Sequence, residues 1–161
     1  MIIEEKFTVK APREKVWDFL LNPDASGPCV PGCEKVKVID DKTYMVTIKV
    51  KIAFISLTFN MNVQITEMNP PSHLETLATG EESSMASNIK AKNFLDLNSL
   101  SESETEVSYR SEVSLFGKLG TMGQSVVKGK AKQLGKEFAE AVKSRLEGRC
   151  IESSSERGVS L

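Results

Sequence analysis

The sequence predicts an α+β fold in which a curved antiparallel sheet of about seven strands wraps around one long C-terminal helix. Between residues 33 and 116, apolar and polar residues alternate along most of the chain, as in strands with one buried and one exposed face. Residues 117–148 instead repeat apolar residues every three or four positions, which predicts an amphipathic helix of up to eight turns. Only this helix is long enough to cover the sheet. Its predicted apolar face comprises Val127, Ala131, Leu134, Phe138, Val142 and Leu146.

The N-terminal segments predict a strand followed by a short helix. Residues 2–11 have strand character and end at Pro12, which fits the first turn of a helix. Val16, Phe19 and Leu20 then fall on one helical face, and the sequence Asn22-Pro23 ends the helix. Residues 24–32 are rich in turn formers and leave room for one more helical turn.

Six further strands are predicted to follow in sequence. They cover residues 34–40, 43–54, 55–66, 74–80, 84–98 and 103–116, and the short spacers between them favour hairpins. The alternation breaks between Thr66 and Met68, which indicates a bulge there.

Length and composition limit the function classes. At 161 residues with a net charge of −1, the chain is expected to form one domain, residues 1–148, and not to bind nucleic acid. Residues 149–161 are polar and aperiodic, and we expect a disordered tail. No run of ~18 apolar residues predicts a membrane span, and the acidic N-terminus does not resemble a signal peptide. We therefore expect a cytoplasmic protein, where disulfides are rare.

The charge is unevenly distributed along the chain. Residues 1–116 carry a net charge of −5, whereas residues 117–149 carry +5. Such a segment suits docking on an anionic membrane or an acidic partner, although a solvated helix face has the same composition. The predicted docking residues are Lys128, Lys132, Lys136, Lys143 and Arg145.

The stretch GPCVPGC, residues 27–33, places Cys29 and Cys33 around a Pro-Gly turn. A structural zinc site needs four ligands, and only His73 and Cys150 could complete the set from distant positions. A disulfide fits the spacing but not a reducing compartment. The pattern therefore favours a turn with small packed thiols, and we expect no metal and no cofactor.

Few residues suit acid–base chemistry in the predicted interior. His73 follows two prolines on an expected exposed turn, and Glu67 is the one carboxylate that we place on the apolar strand faces. Tyr109 and Ser111 fall on the inward side, where two polar groups in an apolar lining orient a ligand more often than they catalyse. The predicted cavity lining is Phe59, Met61, Ile89, Tyr109, Ser111, Val113, Met122 and Val126. Glycines at 117, 120 and 123 indicate either a weak first turn that acts as a lid or close helix packing.

The order of elements resembles the helix-grip fold of the START-like superfamily (also called SRPBCC, Bet v 1-like, or polyketide cyclase/lipid transport). Within it, three stretches resemble the CoxG family associated with carbon monoxide dehydrogenase: FTVKAPREKVWDFLLNPD at 7–24, CVPGCEKV at 29–36 and FGKLGTMG at 116–123. The resemblance covers residues 2–147. Unlike many members, the chain reads KIAFISLTF in its third and fourth strands, where the family often has glycines, and it has no apolar C-terminal extension.

The resemblance implies a non-enzymatic protein that binds a hydrophobic molecule, such as a quinone or lipid. It also implies an accessory role for a molybdenum-containing carbon monoxide dehydrogenase or related hydroxylase, through maturation, membrane recruitment or quinone carriage. Peripheral contact with the inner face of the membrane would follow. Two alternatives stay open: a polyketide aromatase/cyclase-like enzyme using Tyr109 with Glu67 or Asp96, and an assembly factor whose cavity is closed by side chains.

Overall fold

The computed structural model describes residues 1–148, which form seven strands and three helices. The strands are β1 (Ile2–Val9), β2 (Cys33–Asp40), β3 (Thr43–Ile52), β4 (Ile55–Asn69), β5 (His73–Glu82), β6 (Ser87–Ser101) and β7 (Glu104–Phe116). The helices are α1 (Arg13–Leu21), α2 (Pro23–Ser26) and α3 (Gln124–Leu146), with 3₁₀ turns at Gly27–Cys29 and Lys118–Thr121. The predicted fold class and the short helices after the first strand are confirmed.

All seven strands form one antiparallel sheet in the order β1-β7-β6-β5-β4-β3-β2. Strands β2 to β7 are successive hairpins, and β1 pairs with β7 to complete the sheet. Helix α3 contacts β1, β3 and the 3₁₀ turn at Gly27–Cys29, so it crosses the inner face of the sheet.

Two hydrophobic clusters occupy the space between the sheet and the helices. In the first cluster, α1 contributes Val16 and Trp17, which pack with Val142 and Leu146 from the end of α3. The second lies toward the start of α3 and includes Ile52, Leu57, Phe59, Met61 and Leu119. Each fully buried side chain of this kind contributes about 1.5–3 kcal/mol. The predicted apolar face of α3 is confirmed, since all six of its residues are buried or half-buried.

Helix α3 begins seven residues later than predicted, because two glycines adopt backbone angles that a helix does not. Gly117 has φ +84° and Gly123 has φ +103°. A side chain at Gly117 would run into the carbonyl of Ala86, so the backbone there must pass close to the β5–β6 turn. The 23 residues of α3 make about six turns instead of eight.

The bulge predicted after Thr66 is present as a register shift between Ile65 and Glu67 in the β4–β5 ladder. It turns Glu67 to the outer face of the sheet, opposite Glu75. The predicted tail, residues 149–161 with Cys150, lies outside the described residues. Within residues 1–148, no helix is long and apolar enough to cross a membrane.

Candidate ligand-binding pockets

The first pocket, here called the α3 pocket, lies between the sheet and the first half of α3. Its volume is about 190 Å³ and its exposed lining is apolar. Sheet residues, the 3₁₀ turn before α3 and one face of α3 all contribute. Its lining is Met1, Ile3, Ile48, Val50, Ile52, Phe59, Met61, Ile89, Val113, Leu115, Leu119, Val127, Lys130, Ala131 and Leu134.

Half of the predicted lining lies in this pocket: Phe59, Met61, Ile89 and Val113. The other four residues lie elsewhere. Val126 is 45% exposed, because the apolar face of α3 is centred on its neighbour Val127. Met122 packs against the second core cluster, and Tyr109 and Ser111 belong to a polar row described below. That these residues bind a ligand stays a prediction.

A second pocket, here called the turn pocket, lies under α1, α2 and the GPCVPGC stretch and has a volume of about 200 Å³. Val46 and Val63 line it and also pack against the cluster that contains Phe59 and Met61, so the two pockets are neighbours along β3 and β4. The sequence analysis did not propose this pocket, although the alternation of β3 and β4 continues into it. Its lining is Leu20, Leu21, Pro23, Ser26, Gly27, Val30, Cys33, Val36, Tyr44, Val46, Val63, Ile65, Leu74 and Thr76.

The GPCVPGC stretch is a turn, as predicted. The N–H of Val30 donates to the carbonyl of Gly27 at 3.0 Å, and that of Cys33 donates to the carbonyl of Val30 at 3.1 Å. Gly32 adopts φ +79° and accepts from the N–H of Lys49 at 2.8 Å, which joins the turn to β3. The thiols of Cys29 and Cys33 are free, and burial raises the pKa of both, which disfavours a reactive thiolate.

A row of polar side chains crosses the inner face of the sheet. Ser111 donates to Oδ1 of Asn93 at 2.6 Å, and Nδ2 of Asn93 donates to Oγ1 of Thr76 at 3.1 Å. Thr76 lines the turn pocket, so the row reaches a cavity there. Asn93 and Thr76 were missed, although both fall on the inward side of their strands.

Tyr109 continues this row beneath α3. It lies opposite Glu5 in the β1–β7 ladder, and its hydroxyl fits into the space left by the absent side chain of Gly135. Burial, together with the charge of Glu5, raises the pKa of Tyr109 to about 12. The hydroxyl is therefore neutral at physiological pH and lies against the helix backbone, in the linings of neither the α3 nor the turn pocket.

The inward carboxylates differ from the prediction. Glu67 faces outward because of the bulge, whereas Glu5 and Glu82 face inward. Glu82 is 2% exposed and accepts from the N–H of Thr58 at 2.7 Å, the hydroxyl of Ser84 at 2.6 Å and the N–H of Met85 at 2.8 Å. Burial alone would raise the pKa of Glu82, but these hydrogen bonds outweigh it and hold the pKa below its usual value.

His73 is the first residue of β5, on the outer face, instead of lying on an exposed turn. Its Nδ1 is 2.6 Å from Asp96 Oδ1, and its Nε2 is 2.7 Å from Glu75 Oε2 and 3.5 Å from Glu67 Oε2. Hydrogen bonds to Glu75 and Asp96 raise the pKa of His73. Ligand atoms of Glu67, His73 and Glu75 lie within 4.8 Å of one another, but a protonated imidazole accounts for this geometry, and we assign the cluster to ion pairs.

The predicted docking residues do not all lie on one face of α3. Arg145 follows Lys136 by nine residues, which places it about 180° around the helix. Glu140 lies between Lys136 and Lys143 in sequence, on a half of α3 that also carries Glu137. Basic residues without intervening acids are confined to the first half of the helix. Docking through this helix stays a prediction.

The sequence matches the carbon monoxide dehydrogenase family CoxG over residues 6–147. The chain belongs to the CoxG family. No curated protein shows a significant match to this CoxG chain.

Solved structures share the fold of this CoxG chain. A conserved protein from Geobacillus kaustophilus is 23% identical with a TM-score of 0.84, over 92% of this chain and 96% of that one. A START superfamily protein from Mycobacterium smegmatis is 14% identical with a TM-score of 0.73, over 91% and 97%. The Zhui aromatase/cyclase from Streptomyces sp. R1128 is 14% identical with a TM-score of 0.72, over 99% of both chains. At these identities the likeness establishes the START-like fold.

Proposed function

We propose that this protein is a non-enzymatic carrier of a hydrophobic or amphipathic small molecule, of the quinone or lipid class. The observation that supports it is the apolar α3 pocket of about 190 Å³, next to the turn pocket of about 200 Å³ on the same sheet face. Drug-sized ligands occupy clefts of about 300–1,000 Å³, so a ligand of that size would use both pockets. An apolar ligand gains about 25 cal/mol per Å² removed from water.

The polar row suggests how such a ligand would be oriented. Thr76 presents its hydroxyl to the turn pocket while Asn93 donates to that same oxygen. This leaves the Thr76 hydroxyl hydrogen free to donate to a ligand carbonyl or carboxylate. The head group would then lie near Thr76, and the apolar part would extend along β3 and β4 into the α3 pocket.

Membership of the CoxG family supports an accessory role for a molybdenum-containing carbon monoxide dehydrogenase or a related hydroxylase. We propose that the carried molecule serves the maturation, membrane recruitment or quinone supply of that enzyme. Deleting the gene in its source organism should lower the activity of the hydroxylase while its subunits are still made. Unchanged activity would remove this part of the proposal.

The carrier proposal is tested by native mass spectrometry of the gently purified protein, followed by organic extraction of whatever co-purifies. A bound quinone or lipid is expected. A protein that is empty and also fails to take up added menadione or oleate would refute the proposal.

The pocket itself is tested by filling it. Ala131→Phe puts a ring into the α3 pocket from the helix, and Ile89→Phe does so from the sheet; both should lower probe binding at least tenfold. Gln133→Phe is the matched control, because it adds the same ring on the exposed side of the same helix. Equal binding by all three variants would exclude the α3 pocket as the site.

The competing function is a cyclase-like enzyme, supported by the shared fold of the Zhui aromatase/cyclase. It requires a proton-transfer group in contact with the cavity. Turnover of a polyketide substrate that is lost in Tyr109→Phe would favour it over the carrier.

A further inference from the structure

One end of the molecule carries an aromatic side chain that nothing in the fold uses. Phe54 is at the tip of the β3–β4 hairpin and is 97% exposed. Its neighbour Ala53 adopts φ +56°, a conformation that hairpin turns usually fill with glycine or asparagine. A turn selected for stability alone would carry neither residue here.

The hairpin tip reaches beyond its neighbours in the sheet. The β4–β5 ladder begins at Asn60, opposite Glu81, so residues 55–59 of β4 extend past the paired part of β5. The inner side of this extension is covered by the 3₁₀ turn before α3, because Ile52, Leu57 and Leu119 belong to one buried cluster. That turn is joined to the β5–β6 turn by the N–H of Leu119, which donates to the hydroxyl of Ser87 at 2.8 Å. The tip is therefore held in place from behind.

Further apolar side chains are exposed at the same end. Phe116, at the end of β7, is 55% exposed, and Val126, in the first turn of α3, is 45% exposed. Scattered exposed apolar residues also occur elsewhere on the protein and are normal. This end differs because its exposed residues include two phenylalanines.

The charge around this end has a single sign. The segments 49–58, 83–90 and 114–132, which meet here, contain seven lysines and no Asp or Glu. Of the acids beside the β5–β6 turn, Glu81 lies on the outer face of β5, and Glu82 is buried with its carboxylate hydrogen-bonded. Aromatic side chains ringed by lysines match an anionic bilayer surface, where lysines bind lipid phosphates and apolar groups enter the acyl region.

The α3 pocket reaches this same end. Ile52, Leu119 and Val127 line the pocket and belong to the elements that form the tip. Lys130 adds its aliphatic stem to the lining, a placement that lets its ammonium reach toward water or phosphate. A bilayer at this end would therefore face the pocket without crossing the sheet.

We propose that this end, here called the Phe54 tip, docks on an anionic lipid bilayer, with Phe54 entering the acyl region and the surrounding lysines binding lipid phosphates. The inference deepens the proposed function, since it identifies the surface through which the carrier exchanges its ligand. It differs from docking through the outer face of α3, where Glu137 and Glu140 interrupt the positive charge.

The test is co-sedimentation of the full chain with vesicles of phosphatidylcholine plus phosphatidylglycerol, and with vesicles of phosphatidylcholine alone. Phe54→Ser should lower binding to the anionic vesicles roughly tenfold to a hundredfold, the value of burying one such side chain. Lys51→Gln and Lys118→Gln should each lower it roughly fivefold, with the effect diminished at high salt. Leu100→Ser is the matched control, because Leu100 is 49% exposed next to the β6–β7 hairpin at the opposite end.

The opposite results would overturn the proposal. It fails if the native chain does not bind anionic vesicles, if it binds neutral vesicles equally well, or if Leu100→Ser loses as much binding as Phe54→Ser. A loss in Lys136→Gln with none in Lys51→Gln would assign docking to the outer face of α3. Loss of self-association in Phe54→Ser, measured by sedimentation velocity, with vesicle binding unchanged, would assign the tip to a second copy of the chain.

The same variants separate this inference from the proposed function. Menadione uptake in solution, measured by native mass spectrometry, should be unchanged in Phe54→Ser. If no variant takes up the probe while Phe54→Ser still loses vesicle binding, the carrier proposal fails and the docking surface stands.

Discussion

Two identical substitutions on α3 should change stability in opposite directions. A glycine inside a helix costs up to about 1 kcal/mol relative to alanine. At Gly129 an added methyl group meets no heavy atom within 4 Å, so Gly129→Ala should stabilise the protein by about 0.5–1 kcal/mol. At Gly135 the same methyl group would collide with the hydroxyl oxygen of Tyr109. Overpacking of this kind costs about 1–3 kcal/mol, so Gly135→Ala should be less stable than Gly129→Ala by that amount.

A second substitution identifies the cause of the difference. Tyr109→Phe removes the colliding oxygen, and the methyl group at position 135 would then lie 3.6 Å from Cζ of residue 109 and 3.7 Å from Oε2 of Glu5. These are ordinary contact distances. In the Tyr109→Phe background, Gly135→Ala should therefore stabilise, which gives a coupling of about 1–3 kcal/mol between the two sites.

Urea unfolding followed by circular dichroism measures all four combinations. A change of 1 kcal/mol corresponds to about 2–4 °C in melting temperature for a chain of this size, so thermal melts provide a second reading. If Gly135→Ala stabilises as much as Gly129→Ala, Tyr109 does not lie beneath Gly135 and the described seating of α3 is wrong. If Tyr109→Phe fails to rescue Gly135→Ala, the strain comes from another contact.

Two further predictions concern single polar groups. Thr105→Val should cost about 1–3 kcal/mol in urea unfolding, because Thr105 is fully buried and its hydroxyl donates to the carbonyl of Ala11 at 2.8 Å. The exposed control Thr79→Val should change stability by less than about 0.5 kcal/mol, and equal effects would contradict the assignment. The raised pKa of His73 predicts a stabilising contribution that is fully present below the ordinary value of 6.5 and is lost as pH rises through the folded-state value. His73→Gln should remove this pH dependence, and an NMR titration of the native protein that gives a pKa at or below 6.5 would refute the ion-pair assignment.

The sequence was sufficient for the sheet and for one wall of the α3 pocket. Alternation determines which side of a strand faces inward, and no register shift interrupts β3, or β4 before Ile65, so Phe59 and Met61 lie where the pattern predicts. Alternation does not determine depth. Tyr109 faces inward as predicted, yet α3 covers its hydroxyl, because the absence of a side chain at Gly135 lets the helix approach.

The helix side of the site was harder to predict. Val126 was assigned to the lining by a phase carried from the glycine-rich segment, but Gly123 interrupts the helix at φ +103° and α3 starts afresh at Gln124. The repeat further along α3 had the correct phase and includes Val127. The turn pocket depends on where α1 and α2 fold back onto β3 and β4, which is a tertiary contact that local periodicity does not contain.

The positions of the titratable groups bear on the choice between carrier and enzyme. Of the acids considered for catalysis, Glu67 and Asp96 both surround His73 on the outer face, so the sheet separates them from both pockets. Tyr109 is held protonated by burial and by Glu5, and its hydroxyl lies against α3. Glu82 is committed to three hydrogen bonds that shape the β5–β6 turn. What contacts the pockets is an apolar surface with the Thr76 hydroxyl at one end and the Phe54 tip at the other, an arrangement suited to accepting and releasing a hydrophobic molecule without changing it.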